Sequence, residues 1–488
     1  MNKKYAIEAI TVRNLTLLTD LYQLTMMYGY EKAGKSDDIV VFDLFFRKTT
    51  GDSAYAIVAG LEQAIEYIEN LHFSEEDIAY LRDLNLFDEK FLDKLKNIKF
   101  TGDIDAIPEG TVVFPNEPLI RVKAPIFEAQ LIETALLNIV NHQTLIATKA
   151  SRIVQAAQGD SVLEFGLRRA QGPDAGIYGA RAAIIGGCSA TSNVLAGKKF
   201  GIPVQGTHAH SWVMSFPSEL EAFRAYAQAF PESCLLLVDT YDTLKSGVPN
   251  AITVFKELRE KGIEPLGIRL DSGDLAYLSK EARKMLDAAG FPNAKIVASS
   301  DLDEEVIWDL KAQGAAIDIW GVGTAMITSK DCPALGGVYK LVAEEIDGKM
   351  VPKIKISENP VKITNPGYKK VARLYDKDTQ KAIADLIMLD HETIDESKPL
   401  TIFDPINTWK RMTLTNFKAR ELLVPIFRKG KRVYELPSLV EIQEYCKKEM
   451  GTLWAEYKRI TKPHVYKVDL SDELYNLKQK LLQQYSSK

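Results

Sequence analysis

Cysteine is scarce in this chain: four residues in 488, at positions 188, 234, 332 and 446, none in a CxxC pair. That scarcity argues against a disulfide framework and a zinc–thiolate site, and it favours a reducing, cytoplasmic compartment. Long apolar runs are missing too. Nowhere do about 18 apolar residues follow one another, as a membrane-crossing helix requires, and the opening MNKKYAIEAITVRN has charges with no apolar stretch behind them. Charge of one sign is equally lacking: 61 basic against 66 acidic residues give a net −5, with no long block of either. The expectation is therefore of no nucleic-acid and no membrane partner. Neither a Walker A loop nor a GxGxxG after a strand occurs, so ATP or NAD binding cannot be argued from the standard phosphate loops. What the chain does have is apolar bulk, 46% hydrophobic with 26% charged residues, enough for a large core and two or three domains.

The middle of the chain has a rhythm. Short β-branched or apolar runs recur and most end in a polar cluster: SVLEFGLRR, IPVQGTHAH, CLLLVDTYD, PLGIRLDSGD, KIVASSDLD and IDIWGVGTA. Such runs predict strands. Between several of them lie segments of helical period, NAITVFKELREKG and LSKEARKMLDAAG, each closing on a glycine placed for a C-cap. This alternation predicts parallel strands with right-handed crossovers, in a barrel or an open doubly wound sheet. In a barrel the chemistry sits at the C-terminal strand ends. Those ends carry Arg168, Arg169, Thr207, His208, His210, Asp239, Asp242, Arg269, Asp271, Asp274, Ser300, Asp301, Gly323 and Thr324. Aspartates also serve there as turn formers and helix caps, whereas arginines cap nothing at a helix start.

The flanks differ. Residues 1–140 open on the helical LTLLTDLYQLTMMYGYEKAG and continue with Pro- and Gly-marked strands such as TGDIDAIPEGTVVFPNEPLIRV, predicting a β-rich N-terminal domain. Residues 141–344 hold the βα unit. Residues 345–488 begin with short strands near KMVPKIKISENPVK and end in helices near LVEIQEYCKKEMGTLWAEYKR and DELYNLKQKLLQQY, an α+β region expected to pack on the other two.

Two of only six histidines stand together in GTHAHSW, Gly206 to Trp212. As metal ligands, His208 and His210 would share one face of an extended segment, as HxH pairs do in zinc-dependent barrel hydrolases. Such a site would need carboxylates, because His72, His142, His391 and His464 lie outside the central stretch. As a nucleophile, a histidine neutral near pH 7 can take a phosphoryl group. As plain structure, either ring could be satisfied by local hydrogen bonds. GVGT, Gly321 to Thr324, offers backbone N–H groups and a hydroxyl at a strand end, a weak anion cradle, and GGVYKL offers another. DSGD, Asp271 to Asp274, can meet ribose hydroxyls or Mg²⁺, or simply turn the chain and cap a helix.

Taken together, TDLYQLTM, EFGLRRAQGPDAG, SNVLAGKKFGIPVQGTHAHS, LLVDTYDTLKSGVPN, GIRLDSGDL, GVGTAMIT and GGVYKLV resemble the nicotinate phosphoribosyltransferases, type II phosphoribosyltransferases, over most of the chain. The resemblance implies transfer of a phosphoribosyl group from phosphoribosyl pyrophosphate to nicotinate, with Mg²⁺ as cofactor and ATP as co-substrate. It implies a phosphohistidine at His210, while His208 falls at the variable position of GTxAHS. It also implies an irregular (β/α) barrel joined to a β-rich domain, in a homodimer whose active sites lie near the subunit boundary. By the same transfer, Tyr22, Thr207 and Arg269 match nicotinate contacts, and Arg168 a further substrate residue. Gly323 and Thr324 match phosphoribosyl pyrophosphate contacts, and Asp271 is a catalytic position. A guanidinium fork suits the nicotinate carboxylate, and Tyr22 can stack on a pyridine ring. A nicotinamide-specific transferase is the competing reading, with a zinc hydrolase more distant.

Overall fold

The computed structural model describes residues 14–359 and 362–486. The opening stretch 1–13, read above for a leader, lies outside them, as do Pro360 and Val361 of the KMVPKIKISENPVK run.

Six parallel strands carry the candidate site, in the spatial order Ala190–Thr191, Ser161–Glu164, Ile319–Val322, Lys295–Ala298, Gly267–Leu270 and Leu235–Leu237. Ile268, Leu270, Ile296, Val297, Trp320 and Val322 are all buried, as expected of short apolar runs covered on both faces. The crossover helices start where the sequence places caps. Asp274 accepts the Tyr277 N–H at 2.9 Å to open Leu275–Ala288, and Asp303 accepts the Val306 N–H at 2.9 Å to open Glu304–Ala312. Val248–Glu260 buries Ala251, Val254, Phe255 and Leu258, the one-faced spacing of its helical period.

The barrel expected above is not found as a closed ladder among the described residues. One edge is Ala190–Thr191, extended by a single parallel bridge from Thr191 to Val204, and the other is Leu235–Leu237. Pro203 has no N–H to give, and the chain from Gln205 to Ala209 forms no strand. A side chain reaches across instead: the Leu237 N–H donates to His208 Nε2 at 3.2 Å. The architecture is thus mixed α/β with an open parallel sheet.

A second sheet has seven antiparallel strands, in the order Lys349–Pro352, Gly337–Ile346, Ile39–Phe46, Ile120–Pro125, Asp103–Ala106, Val424–Arg428 and Lys431–Arg432. Strand period shows in Ile39–Phe46, where Val40, Phe42, Leu44 and Phe46 enter one apolar core and Val41 another. The helix Glu133–Ala156 joins this core to the central one. Its early residues Ala135, Leu136, Ile139 and Val140 pack in the first, and Ile146, Ala147, Ala150 and Ile153 in the second.

The third sheet is Phe417–Glu421, Lys369–Asp376, Ala382–Leu389 and Val468–Leu470. Its anchor is Arg373, fully buried, donating to Asp385 Oδ1 and Oδ2 at 2.8 and 2.6 Å, to the Val112 carbonyl at 2.7 Å and to Glu449 at 3.3 Å. One guanidinium so ties together three strands, Lys369–Asp376, Ala382–Leu389 and Val112–Val113, and the helix Leu439–Thr452. Removing one partner of such a buried network costs about 3–5 kcal/mol.

Candidate active site at the strand ends

The C-terminal ends of the parallel strands surround a cavity of about 540 Å³. Seven of the eight residues proposed from sequence line it: Arg168, Thr207, His210, Arg269, Asp271, Gly323 and Thr324. Arg168, Arg269, Asp271, Gly323 and Thr324 lie in or just after three different strands, and Thr207 and His210 in or at the end of the irregular stretch at the sheet's gap, so tertiary structure, not local sequence, brings them together.

Arg269 lies on the strand Gly267–Leu270, half-buried, and donates from Nη1 to Thr207 Oγ1 at 2.6 Å. Its Nε is buried without a partner, and it makes no ion pair among the described residues. Burial pulls the guanidinium below its usual pKa, with Arg168 adding to that and Asp271 and Asp239 opposing it. An arginine remains charged regardless. A buried cation with an unsatisfied donor is a receptor for an anion. Arg168 and Arg169 stand exposed on the 3₁₀ turn Leu167–Arg169 at the same cavity. That turn is held from below by Glu164, fully buried, which accepts from Thr191 Oγ1 at 2.6 Å and from the Gly166 N–H. Burial raises the Glu164 carboxyl, partly offset by those two donors.

The two histidines of GTHAHSW separate cleanly. His208 is 8% exposed; burial drives its pKa down to about 4, so it is neutral at physiological pH. With Nε2 accepting from Leu237, the proton sits on Nδ1, which faces the Ala209 carbonyl at 3.4 Å. His210 instead opens the short helix His210–Met214, 39% exposed, with Nε2 3.2 Å from Asp239 Oδ1. The Asp239 side chain is 2% exposed. Its Oδ2 accepts from the Asp271 N–H at 2.9 Å and from Ser272 Oγ at 2.7 Å. A carboxylate fixed through Oδ2 and meeting His210 through Oδ1 holds the proton of His210 on Nε2 and leaves the Nδ1 lone pair free to attack. No group of three His, Cys, Asp or Glu residues able to hold a metal occurs among the described residues, so the HxH pair is not assembled as a zinc site.

The DSGD motif divides in the same way: Asp274 caps a helix, while Asp271 lines the cavity and accepts from Ser299 Oγ. The neighbouring Ser300 is held at φ 100°, strained for a non-glycine residue, and also lines the cavity. Gly321 lies where a side chain would be crowded, since a Cβ there would stand 2.6 Å from the Phe165 ring.

Tyr22 is the exception. It lies on the helix Leu21–Lys32, exposed by 47%, with its hydroxyl donating to Glu133 Oε1 at 3.1 Å, and it is not among the residues lining the cavity. Leu18, Leu21 and Met26 are exposed beside it in the sequence. Conversely, Asp239 and Glu164 shape the site although no motif marked their roles. Asp239 was visible only as one acidic strand end among several, and a carboxylate buried inside an apolar run is the one sign Glu164 offers.

The model described as the nicotinate phosphoribosyltransferase N-terminal domain matches residues 17–141, that of the nicotinate phosphoribosyltransferase family residues 161–385, and that of the C-terminal domain residues 368–478. The chain belongs to the nicotinate phosphoribosyltransferase family. It is 53% identical to the Bacillus subtilis nicotinate phosphoribosyltransferase over 97% of this chain and 96% of that one. It is 34% identical to the human nicotinate phosphoribosyltransferase over 94% and 95% of the two chains. The crystal structure of human nicotinic acid phosphoribosyltransferase superposes with a TM-score of 0.83, covering 95% of this chain and all of that one, at 32% identity. All the cavity residues from Phe165 to Thr324 fall inside the central family match. Among the described residues, no helix is long and apolar enough to cross a membrane.

Proposed function

We propose that this chain is a nicotinate phosphoribosyltransferase of NAD biosynthesis. It forms nicotinate mononucleotide and pyrophosphate from nicotinate and phosphoribosyl pyrophosphate, with coupled ATP hydrolysis through His210. The observation that carries the reading is Arg269: a half-buried guanidinium, braced by Thr207, with its Nε unpartnered and no direct ion pair among the described residues, in a cavity also lined by Arg168 and Arg169, which likewise make none there. Nicotinate supplies the missing carboxylate, whereas nicotinamide would leave the charge unpaired.

In the transfer, the pyridine nitrogen attacks the ribosyl C1 as the bond from C1 to the pyrophosphate oxygen breaks, and the electron pair leaves with pyrophosphate. Positive charge gathers on the sugar and negative charge on the leaving group, so the chain's task is to position two substrates and meet the departing charge. Arg269 and Thr207 hold the ring through its carboxylate. The backbone at Gly323 and the Thr324 hydroxyl, at the start of the helix Thr324–Ile327, suit phosphoribosyl pyrophosphate oxygens. Asp271 and Asp301 are the carboxylates lining the cavity and would hold Mg²⁺, which prefers oxygen ligands and phosphate partners. When bound, that ion neutralises charge on pyrophosphate.

In the coupled step, His210 Nδ1 attacks the γ-phosphorus of ATP, ADP departs, and water later cleaves the phosphohistidine to inorganic phosphate. Asp239 keeps the proton on Nε2 throughout and stabilises the phosphorylated ring. The added charge next to Arg168 and Arg269 gives the phosphorylated state a different affinity for substrates, which is what coupling requires. We further read the chain as a homodimer that seats Tyr22 at the partner's cavity; the exposed residues Leu18, Leu21, Tyr22 and Met26 support such a contact. A cytoplasmic location accords with its four unpaired cysteines.

The test is chromatographic detection of nicotinate mononucleotide from purified protein, Mg²⁺, nicotinate and phosphoribosyl pyrophosphate, with and without ATP, and with nicotinamide as the competing base. Product that rises with ATP in the native chain, and slow ATP-independent product in His210→Asn, is expected. Unchanged ATP stimulation in the variant would sink the role of His210.

A further inference from the structure

A second cavity, of about 470 Å³, opens between the end of the strand Ile39–Phe46 and the C-terminal region, and it shares no lining residue with the His210 cavity. Its charge is one-sided. Arg47, Lys48, Lys369 and Lys478 line it against one carboxylate, Asp43. Asp43 is already taken: Lys369 Nζ lies 2.8 Å from its Oδ2, with both side chains 3% exposed. Asp43 Oδ1 has no hydrogen-bond partner among the described residues. Lys478 donates to the neutral Asn365 Oδ1 at 2.8 Å, and neither it nor Arg47 nor Lys48 makes an ion pair among the described residues. Burial, followed by the charge of Lys369, pulls Lys478 down to about 8. Cations gathered and partly desolvated without counter-charge are unfavourable in the empty protein and become favourable when an anion arrives.

Most of the rest of the wall is apolar, with Asn116 and Gln479 as further polar residues. Phe45 is buried and Tyr475 half-buried, while Ile406 stands 86% exposed at the rim. Inorganic phosphate alone would leave that wall wet. A volume in this range suits a small organic ligand.

We propose that this cleft binds a phosphate-bearing ligand that also carries a planar ring, a nucleoside monophosphate in chemical class, with Lys478 and Lys48 on the phosphate and Tyr475 and Ile406 against the ring. The inference stands apart from the reading of the His210 cavity, and its test separates the two.

Adenosine monophosphate is titrated calorimetrically into the full chain and into Lys478→Met, Lys478→Arg and His210→Asn. The expected result is binding that weakens about 10-fold or more in Lys478→Met, the loss of one charge-assisted hydrogen bond. Lys478→Arg should retain most of it, and His210→Asn should leave it unchanged. Lys48→Met, on an exposed side chain, gives the same reading if Lys478→Met does not fold. Unaltered binding in folded Lys478→Met and Lys48→Met overturns the site. Loss in His210→Asn alone moves the nucleotide to the first cavity and also overturns it. Inorganic phosphate binding as tightly as the nucleotide overturns the chemical class.

Discussion

His208 and His210 stand two residues apart and have opposite fates, because one ring is buried against a backbone N–H and the other is held at a cavity wall by a fixed carboxylate. The burial has a pH signature. The folded-state pKa of His208, about 4, lies below the unfolded value near 6.5, so the unfolded chain binds the extra proton between those values. Its contribution to stability is therefore present above pH 6.5 and lost as pH falls toward 4, amounting to at most about 3 kcal/mol. Denaturant titrations of native protein and His208→Gln across this window should show the gap between them narrowing as pH drops; a constant gap would mean that His208 is not held neutral. Arg269 gives the second prediction at this scale. Arg269→Met removes charge-assisted bonds worth about 1.5–3 kcal/mol, so KM for nicotinate should rise roughly 10- to 100-fold and the preference over nicotinamide should shrink. Steady-state kinetics on both bases measure it, and retained selectivity would place the carboxylate on Arg168 or Arg169 instead.

Elements explain why part of the site was legible and part was not. The βα rhythm was readable because short apolar runs end in polar clusters and the helices carry their own caps, so Arg269, Asp271 and Thr324 could be placed at strand ends; Thr207 and His210 reach the same cavity from a stretch that forms no strand. The gap in the parallel sheet was not readable. It depends on a side chain, His208, bonding an edge strand 29 residues away. Nor does local pattern reveal that Gly337–Ile346 and Val424–Arg428 pair into the sheet of Ile39–Phe46, since strand partners far apart in sequence leave no periodic trace in either strand. The strand Ile319–Val322 offers a test at this scale. Gly321→Ala puts a methyl 2.6 Å from the Phe165 ring, which must give way; Phe165 leads into the turn that bears Arg168 and Arg169, and its displacement is expected to move that turn. Overpacking of this kind costs about 1–3 kcal/mol. The variant should lose thermal stability and, at temperatures where it stays folded, still show a raised KM for substrate. Wild-type kinetics in a destabilised protein would mean that Phe165 does not position that turn.

At the scale of the whole molecule, the arrangement of cores leaves Tyr22 outside the cavity of its own chain. The helix Glu133–Ala156 locks the N-terminal sheet and the central sheet into one packed body, and the Tyr22 hydroxyl is tied to Glu133 at the start of that helix. Local side-chain motion therefore does not account for a substrate role of Tyr22; in the homodimer proposed above, a second copy would. A two-fold dimer would exchange the element symmetrically, each helix Leu21–Lys32 serving the other's cavity. This arrangement predicts complementation. Tyr22→Ala and Arg269→Met homodimers should each be impaired, but a mixed dimer has one cavity with an intact Arg269 facing an intact Tyr22. Equal mixing with full exchange should then recover about a quarter of native activity, since half of the dimers are mixed and each carries one intact site. Activity no higher than the mean of the two variants, with exchange verified by differently tagged subunits, would show that Tyr22 acts within its own chain or not at all.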